Sequence, residues 1–308
     1  MNPAAIDARA LMAIRSLELR ARAVVEGFWT GIHRSPYHGF SVEFTEYRQY
    51  APGDDPRHID WRVLARSDRT YIKKFEDETN LRCHLVLDRS RSMEFGTVGH
   101  TKAAYAATFA ATLALFLQQQ GDAVGLVSFD DVVREFIPAR NRPGHLNHLL
   151  HAIEQPVPGR ATNLPVALER AAHLLRKRGM VVLISDFLAP VADLERPLSH
   201  LAALGHDIAA IQFLDPAEAS LSFHQAAHFV DLESGESLHV DPDAARVAYV
   251  QRLEAHQADL RLLFGRVGAT WHPVLTDAPL GPVLQGFVQS RHRRGRASAR
   301  PALPGGGR

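Results

Sequence analysis

Asp88-Arg89-Ser90-Arg91-Ser92 sets one carboxylate and two hydroxyls at alternate positions, directly after the apolar run Leu85-Val86-Leu87. An apolar, β-branched stretch that breaks at an acid reads as a buried strand ending in a polar loop. In open α/β sheets that carboxyl edge is where ligands bind. Carboxylate and hydroxyl oxygens are hard donors, and with neither sulfur nor imidazole among them the ion they suit is Mg²⁺ rather than zinc. Three residues do not complete an octahedron. Two further polar breaks offer more oxygens: Thr162 in the loop Gly159-Arg160-Ala161-Thr162-Asn163, and Asp186 after the apolar run 180–185.

The elements that must bring these residues together follow from the pattern beyond Leu81, where strands and helices alternate. Such alternation predicts an α/β fold, a mostly parallel central sheet with helices on both faces. Strands are expected over 81–88, 123–129, 132–137, 180–185, 207–213 and 269–273, and helices over 101–119, 144–154, 164–177, 193–204 and 243–264. Asp130-Asp131 reads as a hairpin turn, and 229–240 as a second hairpin-like stretch. The alanine-rich helix 101–119 is apolar nearly all round, so it should lie between other elements. Four segments result: an N-terminal helix over 1–27, a small β-rich subdomain over 28–80, the main domain over 81–286, and a basic tail over 287–308 whose Arg, Gly and Pro content predicts disorder.

Composition narrows the function classes. Lys and Arg number 35 against 34 Asp and Glu, a formal charge of +1, so no global field draws the chain to nucleic acid or to an anionic membrane. Trp61 lies between Arg57 and Arg66, but aromatic and basic residues are not repeatedly interleaved, which argues against nucleic-acid binding. The single Cys83 can form no internal disulfide, sits inside the first strand as a small hydrophobe, and fits a reducing compartment. Residues 1–22 lack the apolar run of a secretory signal. The most apolar segment, 103–117, is shorter than the roughly 20 residues needed to span a bilayer. A cytoplasmic protein with no direct membrane insertion is therefore expected. His145, His148 and His151 recur every three residues without a zinc-protease pattern, which reads as a solvated helix face. Arg291, Arg293, Arg294 and Arg296 read as a solubilising tail.

With Asp88, Ser90, Ser92, Thr162 and Asp186 all at polar breaks, the chain resembles a von Willebrand factor type A domain. The metal-ion-dependent adhesion site of that family uses an Asp-x-Ser-x-Ser loop with a distant Thr and Asp. The resemblance implies that Ser90, Ser92 and Thr162 coordinate Mg²⁺ directly, that the acids act largely through water, and that an acidic side chain of a partner takes a remaining position. It implies binding rather than catalysis.

A second resemblance covers 31 to about 213. His33-Arg34-Ser35, Gly39 with Glu43-Phe44, Arg48-Gln49-Tyr50, Gly53-Asp54-Asp55, Arg57, Ile59-Asp60-Trp61, Ala65-Arg66 and Phe75-Glu76 are similar to the signature of the bacterial family named domain of unknown function 58. That resemblance implies a von Willebrand type A fold after the signature and a MoxR-type AAA+ ATPase as partner in chaperone-like assembly or maturation of other proteins. The signature acids Asp54, Asp55 and Asp60 are expected to pair internally; a second carboxylate cluster is the alternative. The rival function is a Mg²⁺-dependent hydrolase using the same acids. Neither a phosphate-cradling loop ending in Lys-Ser/Thr nor a Gly-x-Ser-x-Gly elbow is present to support it.

Overall fold

The computed structural model describes residues 6–34, 47–49, 71–73, 81–156, 163–232 and 235–298. Asp7 caps α1 (Ala8–Met12), its carboxylate accepting from the amides of Arg9 and Ala10, and α2 (Leu17–Arg34) follows. One helix was expected here; there are two. α2 buries Leu17, Ala21, Val24, Val25 and Phe28, and the Phe28 ring meets Phe116 edge-on at 5.2 Å. Residues 32–80 cluster as a separate compact unit. Within it β1 (Tyr47–Gln49) pairs antiparallel with β2 (Tyr71–Lys73), Tyr47 opposite Lys73. The rest of the expected β-rich subdomain, with Asp54, Asp55, Asp60 and Trp61, lies outside the described residues.

The main unit is built on a six-stranded sheet. In chain order its elements are β3 (Arg82–Asp88), α3 (Lys102–Gln119), β4 (Ala123–Phe129), β5 (Val133–Arg140), α4 (His145–Glu154), α5 (Leu164–Leu174), β6 (Met180–Ser185), α6 (Val191–Ala203), β7 (Asp207–Leu214) and the short α7 (Pro216–Ser220). A small hairpin, β8 (Ala227–Val230) with β9 (Ser237–Val240), precedes α8 (Pro242–Arg266), β10 (Thr270–Leu275) and α9 (Leu280–Ser298). The strand order is β10-β7-β6-β3-β4-β5, parallel throughout except for the antiparallel edge pair β4–β5.

Period-two alternation explains why both faces are covered. Val86, Val127, Phe129, Val181, Leu183 and Ala210 join a core with residues of α5, α6 and α8. Their neighbours point the other way, where Phe213 receives the rings of Tyr105 and Phe109 from α3 at 5.1 and 5.7 Å. α3 is accordingly buried along most of its length. The chain leaves β3 first toward β4 and β5, then returns to β6 on the other side. β3 and β6 thus flank the point where strand order reverses, and their carboxyl ends open a crevice there.

The sequence-based expectation needs correction at two further places in this unit. The helix expected over 164–177 stops at Leu174. The expected disordered tail over 287–308 is helical in its first part, because α9 crosses that boundary. Leu280, Leu284, Phe287 and Val288 recur at helical spacing and are buried, with Phe287 6.3 Å from the Phe109 ring and 6.0 Å from His272. Pro282 falls in the first turn, where a missing amide costs nothing. Arg291 donates to Asp207 at 2.7 Å and so ties the helix to β7 instead of solubilising a tail. Among the described residues no helix is long and apolar enough to cross a membrane.

Candidate metal centre

Asp88 ends β3 fully buried. Its Oδ1 accepts from the Ser90 amide at 2.9 Å, the local turn that short acidic side chains favour. Its Oδ2 accepts from the Ser185 hydroxyl at 2.6 Å, across to the end of β6. Ser90 is buried and leads into a 3₁₀ turn over Arg91–Glu94 that the buried Met93 anchors. That turn brings the Ser90 and Ser92 hydroxyls to 3.0 Å from one another, close enough to hydrogen-bond. Arg89 points elsewhere, donating to the carbonyls of Ile153 and Gln155 at the end of α4, a position where the helix dipole favours a cation.

Asp186 follows β6 directly and is also buried. Its Oδ1 accepts from the Leu188 amide at 3.3 Å, and its main-chain carbonyl accepts from Gln212 at 2.8 Å. The next residue, Phe187, has φ 53°, the left-handed region that costs a side-chain-bearing residue about 1–2 kcal/mol. Three contacts hold it there: its amide donates to Ser185 Oγ at 3.0 Å, its carbonyl accepts from His256 at 2.8 Å, and its ring meets Phe264 at 5.5 Å. Strain of this kind is kept where surrounding structure over-determines it, often at functional sites.

Thr162 lies outside the described residues. Its neighbour Asn163 caps α5 through its side chain and approaches the carboxyl end of β4 through an amide 3.4 Å from the Asp130 carbonyl.

Two residues that the motif analysis passed over complete the cluster. Ser185 links Asp88 to Phe187, as described. Lys102, the first residue of α3, is fully buried and donates to Asp186 Oδ2 at 2.9 Å and to Glu218 Oε1 at 2.7 Å. Burial disfavours its ammonium, but the charges of Asp186 and Glu218 outweigh that and hold its pKa above the ordinary lysine range. A lone lysine at the head of an otherwise apolar helix was the available signal. Glu218 also closes a capping box on α7 with Asp215, and Asp215 in turn accepts from the Thr97 amide at 2.7 Å.

Burial, and then the negative charge of Asp186, push the Asp88 carboxyl up to about 7, against the hydrogen bonds from Ser185 and Ser90. Two carboxylates crowded in this way favour a cation between them. Among the described residues no three His, Cys, Asp or Glu side chains converge to hold a metal, so any ion bound here would need the serine hydroxyls as well. The His145 row does not assemble either. His145 is buried against the Val124 carbonyl at 2.7 Å, a departure from the solvated face expected, while His148 and His151 are exposed.

Residues 46–259 match the family model described as protein of unknown function DUF58. The chain belongs to that family. Its relatives include the uncharacterized protein Rv1480 of Mycobacterium tuberculosis, 32% identical over 292 residues, 93% of this chain and 91% of that protein. Among solved structures, an aerotolerance-related membrane protein from Bacteroides fragilis is 14% identical, with 69% of this chain and 99% of that one covered at a TM-score of 0.47. The SpRpn10 VWA domain is 13% identical, with 66% and 93% covered at a TM-score of 0.38. The DUF58 chain has the expected α/β architecture, a mostly parallel six-stranded sheet between two helical layers.

Proposed function

We propose that the chain is a non-catalytic, Mg²⁺-dependent protein-binding module. Asp88, Ser90, Ser92 and Asp186, with Thr162, would hold the ion, and an acidic side chain from a MoxR-type AAA+ ATPase or a client protein would complete its coordination. The role is chaperone-like, in the assembly or maturation of other proteins in the cytoplasm.

The observation that carries this reading is the 3.0 Å separation of the Ser90 and Ser92 hydroxyls. Adjacent ligands of an octahedral Mg²⁺ at about 2.1 Å are about 3.0 Å apart, so both hydroxyls could reach one such ion with little movement. The donor set fits in chemistry as well, being oxygen throughout. Asp88 already accepts at both oxygens, which suits a carboxylate that meets the ion through water. A bound Mg²⁺ supplies a positive centre for an anionic partner group.

A Mg²⁺-dependent hydrolase using the same acids is the second reading; serine hydrolysis is a separate chemistry, and one Ser-His pair bears on it. Ser290 lies 3.3 Å from His272, but its hydroxyl donates to the Phe287 carbonyl at 2.7 Å within its own helix, so the imidazole does not activate it. This supports binding over serine chemistry. The test is recovery of a tagged MoxR-type ATPase by wild type, Ser92→Ala and Thr162→Ala, each with Mg²⁺ and with chelator. Recovery only by wild type with Mg²⁺ is expected; equal recovery in all six lanes overturns the reading. ATP turnover by the chain alone, abolished in Asp88→Ala, would favour the hydrolase.

A further inference from the structure

Lys102 contributes a full positive charge to a buried cluster of acids. With all three ionised, Asp88, Asp186 and Glu218 carry three negative charges, and Lys102 reduces the sum over these four groups to −2. Asp215 is also buried nearby, its carboxylate engaged by Thr97 and the Ala217 amide. It is common to all the variants below and cancels from comparisons between them. Lys102 occupies Asp186 Oδ2, and Oδ1 accepts from the Leu188 amide at 3.3 Å, so what this carboxylate can offer an ion or an ion-bound water is a remaining lone pair.

We infer that Lys102 is a built-in counter-cation that sets the valence and the affinity of the site by removing one unit of negative charge and one oxygen of Asp186 from the ion. The inference rests on the Mg²⁺ reading above. Its geometry is specific: the ammonium reaches the site from the first turn of α3, held by the Thr101 cap and by its own amide on the Phe95 carbonyl at 2.9 Å. The opposite end of the bridge, Glu218, belongs to α7 and is not among the proposed ligands. Charge can therefore be altered there without touching the ion's own shell.

The experiment is calorimetric titration of the full chain with Mg²⁺ and with La³⁺, for wild type, Lys102→Met, Glu218→Gln, the double variant Lys102→Met/Glu218→Gln and Asp88→Ala. Lys102→Met is expected to bind Mg²⁺ at least about tenfold tighter, the order set by one unit charge at a partly buried site, and to gain more for La³⁺. Glu218→Gln, which leaves Lys102 paired with Asp186, is expected to weaken Mg²⁺ by about the same factor. The double variant restores the sum of −2 and should return toward wild type. Equal affinities in wild type and Glu218→Gln would overturn the role of Lys102 while leaving the metal site standing, and they do so even if Lys102→Met fails to fold. Binding by Lys102→Met but not by wild type would keep the charge role and overturn the Mg²⁺ reading for the native chain. Binding by no variant overturns both.

Discussion

Ser185, the last residue of β6, donates a 2.6 Å hydrogen bond to Asp88, the last residue of β3. Even so, burial and the charge of Asp186 raise the Asp88 carboxyl from 3.8 to about 7. The folded state therefore holds a proton that the unfolded chain has lost between those two values. Stability from this group is full below the lower value and is lost as pH rises through the upper one. In chelator, the melting temperature should fall between about pH 4 and about pH 7, and Asp88→Asn should remove that part of the slope. Superimposable pH profiles for wild type and Asp88→Asn would mean that Asp88 ionises normally.

How much of the site was legible in the sequence depends on the range of the interactions. Asp88, Ser90 and Ser92 fall within five consecutive positions of one turn, so their proximity is local and readable. Asp186 could be placed because a parallel sheet aligns strand ends. Lys102 and Ser185 were missed because their partners are 84 and 97 residues away: the lone lysine at the head of an apolar helix marks Lys102 itself, but nothing local marks what either residue meets. α9 was missed because Gly281, Pro282 and Gly286 break its propensity, while the burial of Phe287 that overrides them is tertiary.

Phe287→Ala tests that override. The ring is buried between Phe109 and His272, and a large-to-small change there should cost about 3–5 kcal/mol in chemical denaturation. A residue in a disordered tail would cost nothing.

Gly125→Ala probes the edge pair. A Cβ built at Gly125 would lie 2.6 Å from the Ala139 amide nitrogen and 2.6 Å from the Ile137 carbonyl, beside the register shift between β4 and β5. Backbone must move to admit it, so a loss of about 1–3 kcal/mol is expected in urea unfolding. An unchanged midpoint would show that β5 yields freely.

Asp215 joins the loop after β3 to α7. It caps the helix and accepts from Thr97, whose amide and hydroxyl both point at it. Asp215→Ala should cost about 1–3 kcal/mol, from a lost cap and the loss of both hydrogen bonds from Thr97. Thr97→Val should cost less, since the amide bond survives. Equal losses would place the stabilisation in the hydroxyl alone.

Cys83 lies in β3, at the middle of the sheet, with no exposed surface, and burial followed by the charge of Asp122 raises its thiol well above the ordinary range. No reagent can reach that sulfur until β3 parts from its neighbours. Since the sequence contains this one cysteine, the chain carries its own stopwatch: the rate at which a thiol reagent is consumed reports how often the innermost strand is laid open. It also means that a cysteine introduced at any exposed position can be tagged with a spectroscopic reporter while the native thiol stays silent.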